Sequence, residues 1–113
     1  MKRAAIVPLA AVGILSFGIV GAVIFVAVAG PKPPSILLKW NAPAPKPGIT
    51  IASYEIFRSQ GSGAFEPLVS GVKTPTYVDH DVIRGNTYNY YVRAVDTQGN
   101  VSPPSNQAIG VIP

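Results

Sequence analysis

The chain has no cysteine, one histidine, one tryptophan and one methionine in 113 residues, and only 12% of it is charged. Without cysteine there is no disulfide framework, no thiolate metal site, no cysteine nucleophile and no acylated lipid anchor. A folded unit must then rest on its apolar core alone. One histidine among scattered serines gives nucleophilic catalysis no base-and-orienter arrangement to build on. The longest absence is of charge: from Ala4 to Ala29, 26 consecutive residues carry none.

As a helix with about 1.5 Å rise per residue that run would span roughly 39 Å, and a bilayer core needs about 20 apolar residues. Residues 1–29 are therefore expected to form a transmembrane helix. Lys2 and Arg3 precede it, and basic flanks stay in the cytoplasm. The expected topology is single-pass in the cell (inner) membrane, with residues 30–113 on the periplasmic or extracellular side. A cleaved signal peptide is the alternative, because Ala27-Val28-Ala29 before Gly30 fits the small-residue cleavage pattern, although the run exceeds the roughly 7–15 residues of a signal's apolar region. Gly18 and Ala22, with Gly13, Ser16 and Gly21 nearby, form a small-residue face suited to close helix packing. The run holds no charge to serve as a proton relay or ion path.

Residues 30–34 (GPKPP) read as a stiff proline-rich linker, and 35–113 as one small domain. From Ser35 onward six basic residues face five acidic ones. That balance leaves no electrostatic footprint for nucleic acid.

Within the domain the apolar pattern has a period of two. Ile36, Leu38 and Trp40 alternate with Leu37 and Lys39. Asn41 to Gly48 is a proline-rich loop, and Tyr54 to Ser59 a second strand. A short third strand follows in AFEPLV, confined to an edge by Pro67. Tyr77 to Val82 reads as a fourth strand and Tyr88 to Val95 as the clearest, with Tyr88, Tyr90, Val92 and Ala94 on one face. Asp96 to Ser105 is a polar loop, and Ala108 to Ile112 closes the chain as a strand. Short strands with turn signals about every ten residues indicate an all-β sandwich. Trp40, Tyr54, Tyr88 and Tyr90 are the expected core.

These residues resemble a fibronectin type III domain of the kind found in bacterial envelope and secreted proteins. SILLKWNAP, SYEIFRS, TPTYVDHDVIRGNTYNYYVRAVD and GNVSPPSN carry the resemblance. It implies an immunoglobulin-like sandwich with Tyr88 as the tyrosine-corner residue, its hydroxyl tying the corner to the backbone, and Val82 in the corner leucine's place. The family's first strand has only GPKPPS to supply it, and prolines cannot complete a ladder of N–H donors. A reduced or missing first strand is expected. Arg84-Gly85-Asn86 is not the Arg-Gly-Asp of integrin-binding members.

Other chemistry is sparse. His80 lies between Asp79 and Asp81, which on a strand point away from it. Asp81 and Asp96 lack the ligand spacing of a calcium loop. Asn100-Val101-Ser102 is a formal glycosylation sequon, and Leu37, Phe57 and Tyr91 are outer-face apolar residues. No catalytic, cofactor-binding or metal residues and no small-molecule substrate are implied. The expected function is a non-catalytic accessory or structural subunit of a larger membrane complex, such as an energy-transducing, respiratory or photosynthetic one. Its partners would be other membrane subunits and the lipid bilayer. The alternative is a secreted or anchored adhesion or carbohydrate-associated module.

Overall fold

The computed structural model describes residues 6–8, 24–28, 33–44 and 46–113. These form β1 (Ile6–Pro8), β2 (Ile24–Val28), β3 (Ile36–Trp40), β4 (Ile51–Gln60), β5 (Glu66–Val72), β6 (Thr76–Asp79), β7 (Thr87–Asp96) and β8 (Ala108–Val111). One sheet runs β1-β2-β3-β6 and the other β5-β4-β7-β8. All pairings are antiparallel.

The core lies between the sheets and follows from alternation. On β7 every second residue, Tyr88, Tyr90, Val92 and Ala94, is buried, as are Ile36, Leu38 and Trp40 on β3 and Tyr54 and Ile56 on β4. Val82, Ala108 and Ile112 complete the cluster. Trp40 and Tyr54 meet edge to face, ring centres 5.2 Å apart, an arrangement that suits the ring quadrupoles. Aromatic residues supply much of the buried apolar area, and that area drives the folding of a domain with no covalent crosslink.

Two features differ from the sequence reading. The first strand is neither reduced nor missing: β2 pairs along the whole of β3, from Ile24 opposite Trp40 to Val28 opposite Ile36. Ile24-Phe25-Val26-Ala27-Val28 is rich in β-branched residues that suit a strand, and it supplies the ladder that the prolines cannot. Of residues 1–29, expected to form a membrane helix, only two short stretches are described. Ile6–Pro8 and Ile24–Val28 are strands, and the rest of that stretch, with the packing residues Gly13, Ser16, Gly18, Gly21 and Ala22, lies outside the described residues. Among the described residues no helix is long and apolar enough to cross a membrane.

The second difference is at β6, which stops at Asp79 rather than continuing to Val82. Asp79 Oδ1 accepts the Asp81 N–H at 3.0 Å, a local turn of the kind aspartate side chains favour. Asp79 is buried while His80 and Asp81 are exposed, so the strand alternation expected for these three residues does not hold.

β5 is an edge strand and contains Pro67. Its register slips between Tyr54 and Ile56 of β4, and Gly71 takes φ +73° there, a left-handed conformation that glycine adopts without strain.

Candidate functional site

Three strands, β4, β6 and β7, build the polar part of the interior. Asp79, at the end of β6, is 1% exposed. Its Oδ2 accepts the Tyr90 hydroxyl at 2.7 Å and Arg58 Nη1 at 2.9 Å. Arg58 Nη1 also donates to the Asp81 carbonyl at 2.8 Å, and its guanidinium lies 5.1 Å over the Tyr88 ring. A buried carboxylate needs such partners, since an unpaired one is costly. Burial disfavours the Arg58 charge, but the hydrogen bond and charge of Asp79 outweigh it and raise the pKa. Burial first, then Asp79, pushes the Tyr90 hydroxyl far above the usual tyrosine range. Burial also raises Tyr54.

The corner beside this cluster is held by Tyr88. Its hydroxyl accepts the Ile83 N–H at 2.9 Å and Asn86 Nδ2 at 3.3 Å. At the opposite end of β7, Asp96 Oδ1 accepts the N–H groups of Gln98 and Asn100, and Oδ2 accepts Asn100 Nδ2. The Asn100 hydrogen bonds hold the Asp96 carboxyl below its ordinary value. Asn100 of the sequon is thereby engaged, and Ser102 is buried, its hydroxyl accepting the Ala94 N–H at 2.9 Å.

The outer face of the β4–β7 pair carries a different grouping. Phe57 and Tyr91 sit opposite one another in register and stack with centroids 4.9 Å apart and planes 14° off parallel. Phe65 leans on Tyr91 at 4.8 Å. Arg93 lies 5.0 Å over the Phe57 ring, within the range of a cation–π contact. Arg93, a ring, a ring and a third ring thus follow one another across the sheet. The sequence points to Phe57 and Tyr91 as outer-face residues, and the alternation of β7 puts Arg93 on the same face as Tyr91; Phe65 is not foreseen, because its place depends on loop path. Leu37 is on β3, in the other sheet.

Trp40, Tyr54, Tyr88 and Tyr90 are all buried. His80 is exposed and makes no hydrogen bond among the described residues, and no group of three His, Asp or Glu there could hold a metal ion. What these residues build is a braced interior and an ordered outer ridge.

No known family model matches the chain. Among curated proteins, 56 residues are 45% identical to an amylopullulanase of Thermoanaerobacter thermohydrosulfuricus, covering 49% of this chain and 4% of that protein. A stretch of 68 residues is 37% identical to Endoglucanase B of Cellulomonas fimi, covering 60% of this chain and 6% of that protein. The chain thus spans only 4–6% of the length of these relatives. Among solved structures, the crystal structure of an Fn3-like protein from Clostridium thermocellum is 31% identical with a TM-score of 0.57, covering 70% of this chain and 77% of that one. With two antiparallel sheets, a tyrosine hydroxyl tying the corner and this likeness, the described sandwich is a fibronectin type III-like domain.

Proposed function

We propose that this chain is a non-catalytic, carbohydrate-associated module, secreted or anchored, that works beside glucan-processing proteins. The likeness to stretches of an amylopullulanase and an endoglucanase carries this reading. Those proteins are many times longer, and none of their chemistry is transferred with a stretch of this size. The interior polar groups of the present chain are spent on bracing the fold, with Asp79 wholly engaged by Arg58, Tyr90 and the Asp81 N–H. Lys2 and Arg3 ahead of an uncharged stretch that ends in Ala27-Val28-Ala29 have the pattern of an export leader, which favours a place outside the cytoplasmic membrane.

Co-purification from the native source after mild detergent extraction, with the partners identified by mass spectrometry, tests the proposal. Recovery with glucan-degrading or glucan-assembling proteins supports it. Recovery in fixed ratio with subunits of an integral membrane complex would replace it with the accessory-subunit reading.

A further inference from the structure

The outer ridge has an order that the fold does not require. Phe57, Phe65 and Tyr91 are half-buried, on the face of β4 and β7 turned away from the core. Their stacking with Arg93 fixes four side chains in one row. Exposed apolar residues usually stand singly; a fixed aromatic row with an arginine at its end has the composition of a binding surface.

The polar groups beside the row select the occupant. Arg93 and Glu55 face each other in register, yet among the described residues neither makes an ion pair or a side-chain hydrogen bond. Arg93 Nε is shut off from solvent and unpartnered, while the ring of Phe57 holds the guanidinium in place. The Nη groups of Arg93 and the Glu55 carboxylate therefore stand side by side as donors and acceptor, with a charge that sums to zero. An anionic partner would meet Glu55, a cationic one Arg93, and each would gain little net attraction. A neutral ligand that both donates and accepts uses both. A pyranose has that character: its hydroxyl rim gives and takes hydrogen bonds, and its C–H faces are apolar.

We infer that the outer face of β4 and β7 binds a neutral glucan chain, with Phe57, Phe65 and Tyr91 as the apolar ridge and Arg93 and Glu55 as the hydrogen-bonding pair beside it. This rests on the reading of the chain as a carbohydrate-associated module and names the ligand class and its place. The full chain, in a detergent without a sugar headgroup, is run in native gels containing soluble starch, hydroxyethylcellulose or neither. Wild type is retarded in at least one glucan gel. Phe57→Ala with Tyr91→Ala weakens the apparent affinity by at least about tenfold, and Arg93→Gln with Glu55→Gln, which leaves the rings in place, weakens it several-fold. Ile83→Ser, at an exposed site away from the ridge, leaves it unchanged. Fluorescence of the buried Trp40 reports folding of each variant, and the glutamine pair reads the site if the alanine pair does not fold.

No retardation of wild type in either glucan overturns the inference, as does full retardation of a folded ridge variant. A concentration-dependent dimer that the ridge variants abolish would assign the face to a second copy and overturn it equally. None of these outcomes touches the parent proposal, which co-purification decides.

Discussion

The Tyr90 hydroxyl donates to Asp79 Oδ2 at 2.7 Å, and that bond joins the two sheets: Asp79 ends β6 and Tyr90 lies in the middle of β7. Arg58, on β4, reaches the same oxygen at 2.9 Å. One buried carboxylate therefore holds both layers of the sandwich through charge-assisted hydrogen bonds, which are stronger than neutral ones. Its two ligands come from neighbouring strands of the opposite sheet. A slip of β4 against β7 would break the set.

Removing one partner tests this cluster. Tyr90→Phe deletes the hydroxyl and should cost about 1–3 kcal/mol, while Asp79 keeps Arg58. Asp79→Ala leaves the Arg58 guanidinium without its buried counter-charge and should cost about 3–5 kcal/mol. Urea unfolding of both single variants and the double variant measures the coupling, which should be clearly non-additive.

Alkaline pH acts on the same bond. Burial and Asp79 keep Tyr90 protonated far above the ordinary range, whereas an unfolded tyrosine ionises near pH ~10. Below that value the contribution is fully present. Above it the folded state holds a proton that the unfolded state has lost, so stability falls as pH rises. Urea midpoints followed from about pH 8 to about pH 11 should decline, and less steeply in Tyr90→Phe. A residual slope remains from Tyr54, raised by its burial.

The acid limb has the opposite sign. Hydrogen bonds from Asn100 hold the Asp96 carboxyl below its ordinary value, so its contribution is present above the normal carboxylate range and lost as pH falls through the folded value. Asn100→Ala should flatten this part of the profile and loosen residues 97–100, seen as faster amide exchange at Gln98.

The corner gives a fourth test. Tyr88→Phe removes the acceptor of the Ile83 N–H while keeping the buried ring, and should cost about 1–2 kcal/mol in urea unfolding. The far-UV spectrum should not change.

Much of the sandwich was legible because its strands follow burial. The alternation along Tyr88, Tyr90, Val92 and Ala94 gives β7 its inner face, and Arg84-Gly85-Asn86-Thr87 before Tyr88 marks the corner. Three features were not legible, each for a physical reason. The end of β6 is set by a side-chain turn at Asp79 that competes with the strand. The pairing of Asp79 with Arg58 spans 21 residues and depends on which sheet each strand joins. The first strand was hidden because hydrophobicity alone does not separate a membrane segment from a strand. The ridge was partly visible, with Phe57, Tyr91 and Arg93 on the outer face by alternation and Phe65 brought in by loop path.

The loop after β7 carries a further test. Its sequence looks irregular, yet Ser102 and Ser105 donate their N–H groups to the Ala94 and Val92 carbonyls and accept the N–H groups of the same residues through their hydroxyls. Pro103 and Pro104, which have no N–H, fall between them. Ser105→Ala leaves the Val92 N–H unpartnered and should cost about 1–3 kcal/mol, and Val92 should show the largest gain in amide exchange. Ser105→Thr, which keeps the hydroxyl, should lie close to wild type.

The pairing of β2 with β3 ties the processing of this chain to its association behaviour. A cut after Ala29, where the small-residue pattern falls, would detach Ile24–Val28 covalently from the strand that they line. If those five residues then left, the outer N–H and C=O groups of Ile36–Trp40 would have no ladder, and bare edges of this kind recruit whatever extended chain is nearby. An uncut chain carries its own edge protection. A trimmed one would be a strand acceptor, so an enzyme that removes the leader would also decide whether the domain stays solitary.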